Sequence, residues 1–229
     1  MSGEATGVWA VLVAAGRGER FGGNRPKAFA NLAGRPLLAE SLERLEGSAW
    51  VEAVVVVAPV DWEEPTILLA EELGAGSVHA VVAGGETRAD SVRAGLAEVP
   101  DEAAVVLVHD AARPLLSEEV VERVVTGLAD GWDGAVPAVP LADTVKRADG
   151  ETVAATVERK GLYGAQTPQA FAADVLRRAL AGGADATDCA GLVEAAGGRV
   201  RLVEGDRRLL KVTTPADLAL VEALLRGEA

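Results

Sequence analysis

Short apolar runs alternate with stretches of helical periodicity along most of this chain. The runs are rich in Val, Ala and Leu and show little polar alternation, which is typical of strands buried on both faces of a sheet. They predict strands at 8–13, 51–58, 78–82, 104–108, 134–139 and 200–203.

The stretches between these runs predict amphipathic helices. Leu38, Leu42 and Leu45 share one face of the segment 36–45, and a shorter apolar face follows at 92–99. Ser117 is a suitable N-cap for a third helix, since two glutamates follow it and favour a helix N-terminus. The last helix has the clearest start, with Thr214 as N-cap, Pro215 in the first turn and Asp217 as the partner in a capping box.

Strands alternating with helices predict an α/β fold, a mainly parallel, Rossmann-like sheet with helices on both faces. We find no repeat and no linker, so we expect a single domain spanning 1–229. Ligands of such sheets bind beyond the carboxyl ends of the strands. The loops 14–27, 84–91 and 109–114 all follow strands and should therefore converge on one crevice.

Residues 141–160 interrupt this alternation. Two short β-type segments flank Asp149-Gly150, which predicts a β-hairpin with an Asp-Gly turn. A projecting hairpin needs a surface to cover its apolar side, and a second copy of the chain could supply one. The alternative is a hairpin folded onto its own domain.

Charge and composition narrow the range of partners. The 229 residues include 22 Lys and Arg against 35 Asp and Glu, a net charge of 22 − 35 = −13. Nucleic acids and anionic membranes favour basic surfaces, so we expect neither as a partner. A single cysteine, Cys189, permits no intrachain disulfide, and no signal peptide or long apolar run is present. We therefore expect a cytoplasmic protein.

The loop after the first strand carries the most specific chemistry. Small residues at 14–16 and Gly18 let a ligand approach the backbone, and Arg17, Arg20, Arg25 and Lys27 follow within a few positions. Phe21 stands where a dinucleotide-binding loop needs its third glycine, and Lys27 lacks the glycine and hydroxyl neighbours of a P-loop. The remaining interpretation is a different polyphosphate-binding loop, and the alternative is a surface turn.

Six separated segments carry a resemblance to one family. They are AAGxGxR at 14–20 with Pro26-Lys27, GGExRxDS at 84–91, HDAARP at 109–114, Asp143-Thr144, Val157-Glu158-Arg159, and QTPQ at 166–169, with Lys211-Val212-Thr213 following. In this order they resemble the 2-C-methyl-D-erythritol 4-phosphate cytidylyltransferases over essentially the whole chain. The resemblance implies a nucleotidyltransferase with a nucleotide-binding sheet and a β-hairpin arm at 141–160 for dimerisation. It also implies an enzyme of the non-mevalonate isoprenoid pathway that uses CTP and a polyol phosphate and depends on Mg²⁺ or another divalent cation.

The resemblance assigns roles residue by residue. Catalytic contacts to the triphosphate fall to Arg20, Lys27 and Lys211. CTP binding falls to Ala14, Ala15, Gly16, Gly18, Gly85, Glu86 and Ser91. Binding of the acceptor falls to Asp110, Arg113, Thr144, Arg159 and Thr167, of which Thr144 and Arg159 come from the neighbouring subunit of a homodimer. Mg²⁺ is expected mainly on phosphate oxygens, with Asp110 as a possible contact.

The residue types suit the reaction that the resemblance implies, in which a phosphate oxygen of the acceptor attacks the α-phosphorus of CTP and pyrophosphate leaves. A phosphate monoester has its second pKa near about 6, so the attacking oxygen is already ionised at neutral pH and no general base is required. Positioned cations must instead bring two polyanions together. His109 follows a buried run, which favours a structural histidine over a general base.

Alternatives remain at the level of single residues and of the whole chain. Asp110 could cap a turn or pair with Arg113, and Arg159 could be ordinary hairpin decoration. A ribitol 5-phosphate cytidylyltransferase shares most of these motifs, and a non-catalytic nucleotide-binding regulator could share the fold. Three positions depart from the family's usual residues: Glu86 replaces Asp, Cys189 replaces an acid, and Arg-Arg-Leu-Leu stands at 207–210.

Overall fold

A central sheet dominates the computed structural model, which describes residues 6–16, 25–182 and 186–227. The strands are β1 (Thr6–Val13), β2 (Asn31–Leu32), β3 (Arg35–Pro36), β4 (Ala53–Ala58), β5 (Val78–Ala83), β6 (Ala103–Asp110), β7 (Gly134–Pro140), β8 (Val145–Asp149), β9 (Thr152–Val157), β10 (Tyr163–Ala165), β11 (Gln169–Ala172) and β12 (Val200–Glu204). The α-helices are α1 (Leu37–Glu46), α2 (Glu63–Leu73), α3 (Arg88–Ala97), α4 (Glu118–Thr126), α5 (Ala173–Ala181), α6 (Cys189–Ala195) and α7 (Pro215–Arg226).

The order of the main sheet is β10-β7-β11-β6-β1-β4-β5. Strands β10 and β11 pair with different parts of the same edge of β7, and β12 pairs with the opposite edge of β7. Strands β6, β1, β4 and β5 run parallel to one another, and β12 runs parallel to β7. Strands β10 and β11 run antiparallel to their neighbours. The predicted α/β fold with a mainly parallel sheet is confirmed. The two short antiparallel strands were not predicted, because so few residues have no readable periodicity.

Helices cover both faces of this sheet. Val11 belongs to an apolar cluster with residues of α3, α5 and α6, while its neighbours Ala10 and Leu12 belong to a second cluster with residues of α1, α2 and α4. Successive side chains of a strand point to opposite faces, so a run without polar residues is what a sheet covered on both sides requires.

The helix starts agree with the sequence in part. Thr214 and Asp217 form the predicted capping box of α7. Ser117 precedes α4 as predicted, but its side chain makes no capping hydrogen bond. At α6 the N-cap is Asp188 and not its neighbour Thr187, because the Asp188 carboxylate accepts from the main-chain N–H of Gly191.

Strands β8 and β9 form the predicted hairpin as a separate two-stranded sheet. Asp149 pairs with Thr152, so the turn residues are Gly150 and Glu151 rather than Asp149-Gly150. Gly150 has φ of +56°, a conformation that glycine adopts without strain. Nearly all residues of the hairpin are exposed, including the apolar Val153 at 59%.

Candidate active site

Main-chain hydrogen bonds hold three loops side by side at the carboxyl ends of the parallel strands. The N–H of Ala14 donates to Val57 O at 2.8 Å, Gly84 N–H donates to Ala58 O at 2.8 Å, and Ala111 N–H donates to Val13 O at 3.0 Å. The predicted convergence of these loops is therefore confirmed for their described residues, as the register of parallel strands requires.

Two cavities lie at this convergence and share Gly16 as a lining residue. The smaller, of about 90 Å³, is lined by the charged side chains of Lys27, Arg88, Asp110 and Lys211. The larger, of about 630 Å³, is lined by Ala15, Arg25, Pro26, Pro59, Val60, Trp62, Gly84, Gly85 and Glu86, besides Gly16. One compartment is thus charged and narrow, while the other is wide enough for a larger organic group.

Lys27 and Lys211 reach the charged cavity from opposite ends of the chain. Lys27 Nζ donates to Val212 O at 3.0 Å, and Lys211 Nζ donates to Asp110 Oδ2 at 2.6 Å. The segment that carries Lys211 is held on the end of β6, because Val212 N–H donates to Ala112 O at 2.8 Å. The prediction that distant cations meet in one pocket is therefore confirmed for these two lysines.

Asp110 is the acidic centre of the cluster. Arg88 donates to its Oδ1 from Nε at 3.3 Å and from Nη2 at 3.1 Å, while Lys211 takes Oδ2. Burial opposes ionisation of this carboxyl group, but the two cations outweigh burial and hold its pKa well below the usual value. Asp110 is therefore ionised at neutral pH and ties together side chains from α3, β6 and the C-terminal segment.

Arg88 was not among the predicted site residues, although it lies in the GGExRxDS motif. Burial alone would lower the pKa of its guanidinium, but the charge of Asp110 raises that pKa instead. The available signal was its place in the motif, since the loop that lines the larger cavity leads directly into the first turn of α3.

Arg113 does not pair with Asp110 as one alternative supposed. It donates to Leu209 O at 2.8 Å and to Ala165 O at 3.3 Å, and its Nε is buried without a partner. Burial lowers the pKa of this guanidinium. Arg113 therefore connects the end of β6 to β10 and to the segment that precedes Lys211.

Ser91 and two glycines shape the wall between the loops. Ser91 Oγ accepts from Gly85 N–H at 3.1 Å and donates to Thr87 O at 3.0 Å, so this buried hydroxyl holds the turn before α3. A Cβ added at Gly84 would lie 2.1 Å from Ala15 Cβ, and therefore a side chain there would push the two loops apart. Glu86 is exposed at the rim of the larger cavity.

The other predicted residues divide into three groups. Thr167 is buried next to the cluster, where its Oγ1 accepts from Asp110 N–H at 3.0 Å. Thr144 and Arg159 are exposed at the base of the hairpin and line neither cavity. Gly18 and Arg20 lie outside the described residues.

Comparison with known proteins agrees with this geometry. The family model of 2-C-methyl-D-erythritol 4-phosphate cytidylyltransferase matches residues 8–227. This chain belongs to that family. A protein of this name from Frankia casuarinae is 50% identical over 222 residues, which is 95% of this chain and 81% of that protein. The one from Rhodococcus jostii is 48% identical over 225 residues, covering 97% and 96%.

Solved structures of the family share the fold. A crystal structure of 4-diphosphocytidyl-2C-methyl-D-erythritol synthase is 37% identical and superposes with a TM-score of 0.81, covering 96% of this chain and 98% of that one. The cytidylyltransferase from Thermus thermophilus is also 37% identical, with a TM-score of 0.78 and coverage of 94% and 98%. The resemblance inferred from the motifs is thus confirmed, and neither alternative function is favoured.

At two positions that depart from the family's usual residues, the residue present accepts a hydrogen bond from an arginine of the site. Cys189 is buried in the first turn of α6, where its Sγ accepts from Arg88 Nη1 at 3.3 Å, and burial raises the pKa of this thiol. Leu209 is fully buried, and its carbonyl accepts from both Arg113 and Gln166. The residues at both positions thus support site arginines.

The described residues fit a magnesium ion that arrives with phosphate. No group of three or more His, Cys, Asp or Glu side chains that could hold a metal occurs among residues 6–16, 25–182 and 186–227. Asp110 is the only carboxylate among the described residues that line the charged cavity. Mg²⁺ commonly uses one or two carboxylates together with phosphate oxygens, and Asp110 could serve as such a ligand.

No helix in the described part of the chain is long and apolar enough to cross a membrane.

Proposed function

We propose that this protein transfers the cytidylyl group of CTP to 2-C-methyl-D-erythritol 4-phosphate, giving 4-diphosphocytidyl-2-C-methyl-D-erythritol and pyrophosphate. The observation that carries the proposal is the meeting of Lys27, Arg88 and Lys211 around Asp110, next to the cavity formed by the loops at 14–16 and 84–86. Family membership supplies the substrates, and the cavities supply a charged and an open compartment for them.

Catalysis in this proposal rests on positioned charge. The acceptor phosphate attacks the α-phosphorus of CTP and pyrophosphate leaves, while Lys27 and Lys211 offset the charge on the phosphoryl oxygens. Lys211 Nζ carries three donors, so it can contact a phosphate oxygen while it stays bonded to Asp110, and Arg88 also neutralises this buried carboxylate. Arg20 joins the lysines in the proposal, and Gly18 is assigned to CTP binding.

The base and the acceptor occupy opposite sides of the cluster. Cytosine lies in the larger cavity against Ala15, Gly85 and Glu86, where main-chain groups can read its edge. Asp110, Arg113 and Thr167 form the acceptor side. Asp110 would be the protein contact of a Mg²⁺ ion that binds with the phosphates, and this ion would supply charge neutralisation and orientation.

The protein acts as one domain whose hairpin arm reaches a second copy. The hairpin is exposed along its length, and Thr144 and Arg159 lie at its base, outside both cavities. In the proposed homodimer these two residues complete the acceptor site of the partner. We place the enzyme in the cytoplasm, because a free buried thiol at Cys189 suits a reducing compartment.

Pyrophosphate release tests the activity. The purified protein is incubated with CTP and Mg²⁺, and with methylerythritol phosphate, ribitol 5-phosphate or no acceptor. We expect release only with methylerythritol phosphate, and a Lys27→Ala variant should lower kcat by about 10²–10³-fold. Faster turnover of ribitol 5-phosphate would reassign the substrate, whereas CTP binding without release would indicate a regulator.

Mixed dimers test the shared site. Lys27→Ala and Arg159→Ala are each expected to be nearly inactive alone, because each damages every site of its own homodimer. In a verified heterodimer one site receives both native residues, so about half of the native activity per dimer should return. An inactive heterodimer would contradict the proposal that the hairpin completes the partner's site. A fully active protein that sediments as a monomer would contradict it as well.

A further inference from the structure

His109 occupies a central position behind the acceptor side without lining either cavity. It is the penultimate residue of β6 and is fully buried. Its Nε2 lies 3.1 Å from Arg113 O, and its Nδ1 lies 3.2 Å from Thr167 Oγ1. The same Thr167 oxygen accepts from the main-chain N–H of Asp110 at 3.0 Å.

The direction of each hydrogen bond follows from the groups involved. A main-chain carbonyl can only accept, so Nε2 must carry the hydrogen that reaches Arg113 O. In a neutral ring Nδ1 then carries a lone pair, and the hydroxyl of Thr167 must donate to it. The ring is fully buried, and burial disfavours a charged imidazolium, which agrees with a neutral ring. The chain of donors runs from Asp110 to Thr167, from Thr167 to His109, and from His109 to Arg113.

This chain joins the segments that carry the acceptor side. Asp110 is the last residue of β6 and Arg113 lies in the turn that follows, while Thr167 lies between β10 and β11, 57 positions along from Asp110. Both ring nitrogens are engaged and the ring is buried, so His109 cannot reach a substrate proton. Its contribution must come from the orientation of other residues.

We propose that His109 is a positioning residue: its neutral ring, protonated on Nε2, fixes the hydroxyl of Thr167 and thereby the placement of Asp110 and Arg113. The proposal rests on the proposed function for its activity readout only. The tautomer itself is measured without any substrate, so failure of the two ideas can be told apart.

Four variants separate the two ends of the imidazole. His109→Asn places an amide oxygen near the position of Nδ1 and keeps an acceptor for Thr167, whereas His109→Gln keeps a donor near Nε2 only. Thr167→Val removes the hydroxyl at nearly constant volume, and Thr167→Ser retains it. Each variant is first checked for native circular dichroism and cooperative unfolding.

The kinetic result expected is a matched pattern. His109→Gln should lower kcat/KM for the acceptor by about five- to tenfold, the value of one lost hydrogen bond. Thr167→Val should lower it by at least as much, because it also removes the acceptor of the Asp110 N–H. The double variant should have a kcat/KM no lower than that of the less active single variant, since both substitutions break the hydrogen bond between Thr167 and His109. His109→Asn should lose less activity than His109→Gln, and Thr167→Ser should lose less than Thr167→Val. Additive losses in the double variant would overturn the proposal.

Nitrogen-15 NMR of the unaltered protein decides the tautomer directly. We expect His109 with a protonated Nε2 and an unprotonated Nδ1 throughout the neutral pH range. A ring protonated on Nδ1, or on both nitrogens at neutral pH, would refute the proposal whatever the kinetics show. If the unaltered protein has no transferase activity, the proposed function fails, and the NMR spectrum still tests the proposed tautomer of His109.

Discussion

Acid should destabilise this protein through His109 well before its carboxylates are protonated. Burial depresses the pKa of this ring in the folded protein to about 4, while an unfolded histidine has a pKa near about 6.5. Between these two pKa values His109 is protonated in the unfolded chain but neutral in the folded protein, so lowering the pH favours unfolding. The stabilisation is complete above the unfolded value and is lost as the pH falls toward the folded one.

The magnitude follows from the two pKa values. One pKa unit corresponds to about 1.4 kcal/mol, so the full difference amounts to about 3 kcal/mol. Relative to pH 8, proton linkage predicts a loss of about 2 kcal/mol at pH 5 and about 3 kcal/mol at pH 4. Such a loss is a substantial fraction of the stability of an ordinary domain, which is about 5–15 kcal/mol.

Urea denaturation between pH 8 and pH 4 measures this loss in the unaltered protein and in His109→Asn. Other groups titrate in the same range, but they contribute to both proteins and cancel in the difference between the two curves. His79, exposed on the edge strand β5, supplies the control variant His79→Asn. The difference for His109→Asn should be constant above pH 7 and shrink by about 2 kcal/mol at pH 5.

A difference that does not change with pH would refute the reasoning, because it would mean that His109 takes up its proton equally in the folded and unfolded states. An equal effect in the His79→Asn control would have the same consequence. Such results would also remove the argument for a neutral ring behind Thr167.

Three further changes probe the cluster and its supports. Lys211→Ala should lower kcat/KM by about 10²–10³-fold in the pyrophosphate assay, whereas Arg207→Ala, an exposed neighbour, should leave it unchanged; equal losses would mean a structural effect. Gly84→Ala places a Cβ 2.1 Å from Ala15 Cβ and should cost about 1–3 kcal/mol of stability in urea and weaken CTP binding by calorimetry, so native values for both would contradict the close approach. Thr214→Ala removes the capping box of α7 and should cost about 1 kcal/mol, and an unchanged urea midpoint would show that the cap contributes nothing.

Local patterns in the sequence were sufficient for the parallel strands, the β8–β9 hairpin and the capping box of α7. Each of these features depends on residues within a few positions of one another, where hydrophobic periodicity and turn chemistry act directly. The glycine-rich segment at 14–20 and the HDAARP segment could be recognised as motifs for the same reason, because their residues stand at fixed local spacing.

Only the tertiary structure decided how these pieces serve the site. Asp110 and Lys211 are 101 positions apart, and packing alone brings the carboxylate between Lys211 and Arg88. Thr167 reaches the main chain of Asp110 because two short antiparallel strands, which carry no readable pattern, place it there. Ion pairs and hydrogen bonds of long sequence separation depend on the whole fold, since their partners meet only after the sheet has formed and both of its faces are covered.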